Sequence, residues 1–430
     1  MTLPRIVVVG GGAGGLELVT RLGKKLGKAK KAEIVLVDRD STHVWKPLYH
    51  ELATGVLNSN LDEVSFQGHA SNHHYRFQRG SLTALDRENR TITLAEHYDE
   101  EGELILPERK VEYDYLVLAL GSVANDFNTE GVAEHCYFID TADEAVEFQH
   151  KMLNSFLRYN GAGRRPQRKL TVTIIGGGAT GVELAAELHK VSGMLKNYGY
   201  TDLGESEVEV RLLEAAPRIL PPLPERVSKA VHKDLADLGV HIHVDTAVAK
   251  ATPDGLYTKD GDFIESDLHV WAAGIKAPDF LSELGLSCQK NNQVNVKETM
   301  QSIDDEKIFA LGDCAYCPQG EDSAVPPRAQ AAHQQAKAMA YSLQGLLQGK
   351  ALKPFTYKDK GSLITLSSYD AVGNLLGSKK GIFIDGWLAR FFYASLYRMH
   401  QVTIHGVTKT ALTMIADSFT YYLKPRMKLH

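Results

Sequence analysis

The chain opens on an apolar strand that runs into glycines and then a helix, Arg5-Ile-Val-Val-Val-Gly-Gly-Gly-Ala-Gly-Gly-Leu-Glu. Gly10, Gly12 and Gly15 have the Gly-x-Gly-x-x-Gly spacing. In that pattern one glycine makes a tight turn, the next lets backbone approach a pyrophosphate, and the third lets helix pack on strand. The helix N-terminus then faces phosphates with unpaired N–H groups and a partial positive charge. Ile34-Val-Leu-Val-Asp38 reads as the second strand, and Asp38, 23 residues past Gly15, is an acid able to accept from a ribose hydroxyl. A glycine-rich turn without a nucleotide is the alternative, and strand, helix and acid in sequence argue against it.

The pattern then repeats. Leu170-Thr-Val-Thr-Ile-Ile175 runs into Gly176, Gly178 and Gly181 at the same spacing, followed by the helical Val182-Glu-Leu-Ala-Ala-Glu-Leu. Val208-Glu-Val-Arg-Leu-Leu-Glu214 is its acid-tipped second strand, 33 residues past Gly181, an interval that implies an insertion around 197–207. With Glu214 at its tip and no basic residue before Arg218, this unit should prefer NAD to NADP, because a carboxylate repels a 2′-phosphate. Two such units allow one to hold an electron-storing dinucleotide and the other a nicotinamide that visits it.

At 430 residues, 43% hydrophobic and 23% charged, the chain has material for two or three domains. A net charge of −5 gives no sign of a nucleic-acid partner. The tail is different: from Trp387 onward Arg390, Arg398, Lys409, Lys424, Arg426 and Lys428 face Asp417 alone, about +5 against about −10 for the remainder. Four cysteines make no disulfide framework, and a first strand starting at Arg5 leaves no room for a signal peptide, so a reducing compartment is expected. No run reaches the ~18 apolar residues that a spanning helix needs.

Between the motifs, His43-Val-Trp-Lys-Pro-Leu-Tyr-His-Glu51 reads as a loop over a cofactor, with Lys46 on flavin or phosphate or simply solvated. Tyr75 to Leu94 reads as an antiparallel hairpin, and Tyr98 to Arg109 as a solvated loop. Tyr113 to Gly121 is a buried strand ending where the chain can pass close to a cofactor, and a helix is expected over 141–159, then a basic linker over 160–166. Leu268 to Pro278, which contains Gly274, is the strand and crossover back to the first unit. Lys307-Ile-Phe-Ala-Leu-Gly-Asp313 ends in Gly312 and a carboxylate suited to a sugar-like hydroxyl chain. Pro326-Pro327 precedes a helix with proline at its start, and Gln330 and Gln334 share one of its faces.

With these elements assembled, the chain resembles the two-dinucleotide-binding-domain flavoproteins, and within them the type II NADH dehydrogenases, single-subunit NADH:quinone oxidoreductases. The resemblance runs essentially the whole length. It implies an α/β, glutathione-reductase-like fold of two Rossmann-like domains plus a C-terminal membrane-associating segment. The implied division is 1–125 and 271–350 for FAD, 126–270 for NADH, and 351–430 for membrane association or dimerisation. Non-covalent FAD is then expected with Gly10, Gly12 and Gly15 at its pyrophosphate, Asp38 at the adenosine ribose and Asp313 at the ribityl chain. Lys46, Gly121, Gly312 and Ala329 are also expected beside FAD. NADH, the substrate, is expected over Gly176, Gly178 and Gly181, with Glu214 on its ribose and Gly274 nearby. The family's Ala-Gln-x-Ala-x-Gln quinone signature is present as Ala329-Gln330-Ala331-Ala332-His333-Gln334. Glu183 and Glu187 match acidic positions tied to nicotinamide and proton handling, with an ordinary helix acid as the alternative for Glu187. Glu130 stands where many relatives carry proline.

The implied reaction is hydride transfer from NADH to flavin and delivery of two electrons to a membrane quinone in a respiratory chain, without ion pumping. The apolar, aromatic and basic segments Trp387 to Met399 and Ala411 to Leu423 suit peripheral docking on an anionic membrane, on the cytoplasmic face of a bacterial inner membrane. Packing of the same residues in a homodimer stays open. Other readings are a disulfide reductase, for which 43–51 lacks cysteines, and a sulfide:quinone oxidoreductase, for which Cys136 and Cys288 sit in no pattern. Cys314-Ala-Tyr-Cys317 has Cys-x-x-Cys spacing, a weak metal or redox signal whose alternative is two buried thiols; no metal site is expected. A flavin protein in which NADH only switches conformation also stays open.

Overall fold

The computed structural model describes residues 3–57, 63–161, 169–199, 207–320, 323–366, 370–375 and 382–423. Apolar β-rich runs separated by helical stretches cover a parallel sheet on both faces, and this chain makes two such sheets. The first uses β1 (Arg5–Val9), β2 (Glu33–Asp38), β3 (Arg76–Arg79) and β4 (Tyr115–Leu118), with α1 (Ala13–Leu22) and the short α2 (Tyr49–Ala53) between them. After α3 (Ala142–Gly161) comes the second, from β5 (Leu170–Ile175), β6 (Val208–Leu213), β7 (His241–His243) and β8 (Leu268–Trp271), with α4 (Ala179–Met194) following β5. The chain then returns to the first sheet with β9 (Ile308–Ala310), giving the parallel orders β9-β4-β1-β2-β3 and β7-β6-β5-β8. Ile6, Val7, Val8 and Leu118 lie in one core, and Leu170, Ile174 and Leu184 in another.

The crossover from β8 carries a two-residue strand, Ile275–Lys276, that pairs antiparallel with Val123–Ala124. From β9 the chain enters α5 (Ala329–Leu346), then an antiparallel sheet of β10 (Gly361–Leu366), β11 (Asp370–Leu375) and β12 (Ile382–Asp385). Two helices end it, α6 (Gly386–His405) and α7 (Val407–Leu423), with Gly406 at φ +88° between them.

Three sequence expectations are corrected. Tyr75 to Leu94 is split: Arg76–Arg79 joins the parallel sheet, and the hairpin is confined to Leu82–Asp86 and Thr91–Leu94. His43 to Glu51 is no continuous loop, because Pro47 sets a helical φ and starts a 3-10 turn at Lys46–Leu48 that leads into α2. In 98–109 His97–Tyr98 pairs with Leu104–Leu106. Pro326 and Pro327 lie ahead of α5, whose N-cap is Arg328. Most of the basic linker (162–166), most of the suspected insertion (200–206), and Lys424, Arg426 and Lys428 lie outside the described residues.

Candidate active site

Each glycine loop does the same three things. Gly10 at φ +104° and Gly176 at φ +112° turn the chain, and a Cβ on either would meet backbone at 2.3 Å (Ala119 O) and 2.7 Å (Ala272). A Cβ on Gly15 or Gly181 would fall 1.8 or 2.0 Å from the carbonyl of Gly10 or Gly176, so helix and strand touch there. Around Gly12 and Gly178, the N-caps of α1 and α4, a Cβ would meet nothing within 4 Å. The open space therefore lies where backbone amides of a helix start are free for an anion.

The acids fix these loops. Asp38 Oδ2 accepts from the Gly11 amide and Oδ1 from Asp40 at 2.9 Å, while burial raises its carboxyl above the ordinary value. Glu214 Oε2 accepts from Gly177 at 2.7 Å and Oε1 from Ala216 at 2.8 Å. Arg218, the first cation after Glu214 in sequence, spends its guanidinium on the carbonyls of Leu220 and Pro221.

Gly312 (φ +73°) and Asp313 follow β9. Burial raises the Asp313 carboxyl, whose Oδ2 accepts from Ser122 Oγ at 2.8 Å, and Ser122 follows Gly121 at φ +70°. Lys46 is braced rather than simply solvated: Nζ donates to the Ser122 carbonyl at 2.9 Å and pairs with Asp140 at 3.1 Å. Gln335, absent from the sequence reading, accepts from the Gly312 amide at 2.8 Å and also meets the Cys317 thiol. Its adjacency to Gln334 was the available signal. No side chain caps α5 at Ala329, so its first amides are open to an acceptor. Gly274 (φ +70°) lies under the Phe127 ring, which a Cβ would meet at 2.5 Å.

Gln330 and Gln334 hold the segment before β10. Gln330 donates to the Gly361 carbonyl at 2.8 Å and accepts from Lys360, while Gln334 donates to Lys358 at 2.9 Å and accepts from the same residue at 3.1 Å. Glu183 and Glu187 are both buried on α4. Burial pushes Glu183 up to about 8, despite an amide bond from Thr365 at 3.2 Å. Glu187 pairs with Lys190 at 2.9 Å. Burial pushes the Cys314 and Cys317 thiols up to about 11, which disfavours the thiolate a disulfide reductase needs. Among the described residues no group of three His, Cys, Asp or Glu side chains is arranged to hold a metal ion.

The family model for pyridine nucleotide-disulphide oxidoreductases matches residues 4–336. A type II NADH:quinone oxidoreductase of Haemophilus influenzae is 45% identical over 444 residues, covering 100% of both chains. The chain belongs to the type II NADH:quinone oxidoreductases. A Staphylococcus aureus member of this family is 28% identical over 378 residues, covering 87% of this chain and 90% of its own. The structure of NDH2 from Plasmodium falciparum in complex with NADH superposes with a TM-score of 0.83 at 19% identity, over 99% of this chain and 100% of that one, a likeness of fold. Among the described residues no helix is long and apolar enough to cross a membrane. Instead α7 exposes Val407, Leu412, Met414, Ile415 and Phe419, with Phe419 67% exposed.

Proposed function

We propose that this protein transfers hydride from NADH to FAD and two electrons onward to a membrane quinone, without ion pumping, as the entry step of a bacterial respiratory chain. The observation that carries this reading is the duplication: two glycine loops, each closed by an acid on the next strand, in two sheets of one chain. FAD, when bound, supplies the two-electron relay between NADH and quinone.

The residues fit that group. The space beside Gly12 suits its pyrophosphate, Asp38 its adenosine ribose, and Asp313, oriented by Ser122, its ribityl hydroxyls. Gly121 and Gly312 leave room for close approach: a Cβ on the first meets nothing within 4 Å, and on the second only Ala332 at 3.6 Å. The open amides at Ala329 place positive potential where a reduced ring needs it, and Lys46 is anchored beside Asp313's partner. NADH lies over Gly176, Gly178 and Gly181 with Glu214 accepting from its ribose, and Gly274 bounds the pocket. On this reading 1–125 and 271–350 form the FAD domain, 126–270 the NADH domain, and 351–430 the membrane-docking or dimerisation region. Glu183, held protonated by burial, delivers a proton to the reduced quinone, and Glu187, paired with Lys190 on the same helix, takes part in proton handling. The exposed apolar face of α7 docks on an anionic membrane at its cytoplasmic face, and substituting Leu412, Ile415 and Phe419 by serine should release the protein from anionic vesicles.

Gln330 and Gln334 have two readings. As quinone ligands their carboxamides donate to a quinone carbonyl after leaving the backbone of 358–361; as a strap they only hold that backbone. Anaerobic stopped-flow of the FAD-loaded protein with NADH, then with a short-chain quinone or a disulfide, tests the whole scheme. Fast bleaching with reoxidation by quinone alone supports it, and reoxidation by disulfide alone overturns it. In Gln330→Ala, slowed reoxidation with intact bleaching assigns the quinone role, and equal loss in both assigns the strap.

A further inference from the structure

Of the buried titratable groups that the mechanism leaves unused, His50 faces Glu183. His50, on α2, is 2% exposed, and its two ring nitrogens face two carboxylates from different parts of the chain. Nδ1 lies 3.7 Å from Glu183 Oε2 on α4, and Nε2 lies 4.0 Å from Glu51 Oε1. The two acids differ in access: the Glu183 side chain is 8% exposed and that of Glu51 30%. An imidazole between a buried acid and a solvent-reaching one is the arrangement that moves a proton inward, because one ring nitrogen can accept while the other donates. Both gaps exceed a direct hydrogen bond by under about 1 Å, a distance that a small side-chain movement spans.

We propose that Glu51 and His50 form the proton-input path that recharges Glu183 from solvent after each quinone reduction. This rests on the reading of Glu183 as the proton donor. In the step, the Glu183 O–H proton passes to the reduced quinone oxygen, leaving a carboxylate. The His50 Nδ1–H proton passes to that carboxylate while Nε2 takes a proton from a water held at the Glu51 carboxylate, whose hydroxide leaves to solvent, and exchange with water then returns the ring to its Nδ1–H tautomer. Charge is conserved along the path. Its neighbours agree: burial holds His50 down to about 4, so the ring is neutral at working pH, as Glu183 is. Among the described residues, the other groups recorded around the pair are Glu187 and Lys190 on α4, bound to each other at 2.9 Å, the Thr365 amide of β10 on Glu183 Oε1, and the Pro47 carbonyl facing the His50 ring. None of them offers a second route that joins Glu183 to an exposed acid.

The test compares His50→Gln, Glu51→Gln and Glu183→Gln as full-length, FAD-loaded proteins, with bleaching by NADH and reoxidation by a short-chain quinone followed from pH 6 to 9. The expected result is bleaching within about twofold of the unchanged protein in His50→Gln and Glu51→Gln. Reoxidation should slow about tenfold or more in His50→Gln and less in Glu51→Gln, with a larger solvent isotope effect in both. Added imidazole should restore part of the rate to His50→Ala and none to Glu183→Gln, an outcome that a packing role for His50 does not produce. If His50→Gln fails to hold flavin, Glu51→Gln decides, since its side chain is partly exposed. Slow reoxidation in Glu183→Gln with an unchanged rate and pH profile in both relay variants overturns the path. Unchanged reoxidation in Glu183→Gln overturns the underlying role of Glu183 itself.

Discussion

His400 Nδ1 lies 3.0 Å from Glu17 Oε1, across 383 residues, and both side chains are almost fully buried. The bond fastens α6 to α1, the helix that follows the first glycine loop. His333 of α5 binds the same carboxylate at 2.8 Å, and His400 Nε2 faces His43 Nε2 at 3.1 Å with the Trp45 ring packed 4.2 Å away. Burial alone raises the Glu17 carboxyl, but hydrogen bonds from His333 and His400 overcome it and hold it at about 2. His400→Ala leaves this buried carboxylate short of a partner and should cost roughly 2–4 kcal/mol. Thermal melts should show the loss, and limited proteolysis should cut faster within 386–423. An unchanged melt would remove the interlock.

Stability should fall early on acidification. Burial pushes His43 and His69 down to about 3 and His50 to about 4, from the ordinary 6.5 of histidine. The unfolded chain therefore binds roughly three more protons than the native one near pH 5, so stability present above about pH 6.5 is lost as pH drops towards the folded values. Glu17, with its folded value below 4.5, adds a second loss between about 4.5 and about 2. Melting temperatures from pH 8 to 4 should slope steadily downward below 6.5, and a flat profile from 7 to 5 contradicts the neutral burial of these rings.

The glycines separate cofactor from fold. Gly12→Ala and Gly178→Ala have ordinary helical-entry φ of −65° and −75° and open space for the methyl group. The protein without cofactor should melt as before, with Gly12→Ala losing flavin content and Gly178→Ala raising the KM for NADH while keeping flavin. Gly15→Ala, with its Cβ 1.8 Å from a carbonyl, should instead yield misfolded protein.

Nucleotide preference should turn on one carboxylate. Glu214→Gln keeps the acceptor for the Gly177 amide but removes the charge that repels a 2′-phosphate. The ratio of kcat/KM for NADH over NADPH should drop about tenfold or more. An unchanged ratio would move specificity elsewhere in the pocket.

Glu183→Gln should stabilise the protein while impairing it. The folded value of about 8 exceeds the ordinary 4.5 of glutamate, so unfolding releases a proton between these limits and wild-type stability declines as pH rises through them. Glutamine has no such dependence, and the variant should gain roughly 1–3 kcal/mol over wild type by pH 8, with little difference at pH 4.5. Parallel melting curves across this range would show that Glu183 is ionised.

Both glycine units were legible in the sequence because each is local. A tight turn, a close helix packing and an acid-tipped strand all lie within about forty residues, and glycine at a positive φ has few substitutes. The reading of 43–51 as a loop missed α2 because a five-residue helix after Pro47 has too few residues for a periodicity. The antiparallel sheet of β10 to β12 carried no expectation at all, yet its Thr365 amide binds Glu183.

The sequence alone thus determined the two nucleotide-binding units, the acids that close them and the amphipathic tail, since backbone geometry and hydrophobic pattern are written in neighbouring residues. Only the tertiary structure decided which side chains meet. His50 reaches Glu183, His400 reaches Glu17, and Gln335 reaches Gly312 through contacts between elements whose order along the chain says nothing of distance in space. The physical reason is burial: desolvation makes an acid keep its proton or a histidine lose it, and no residue carries its own burial in the sequence.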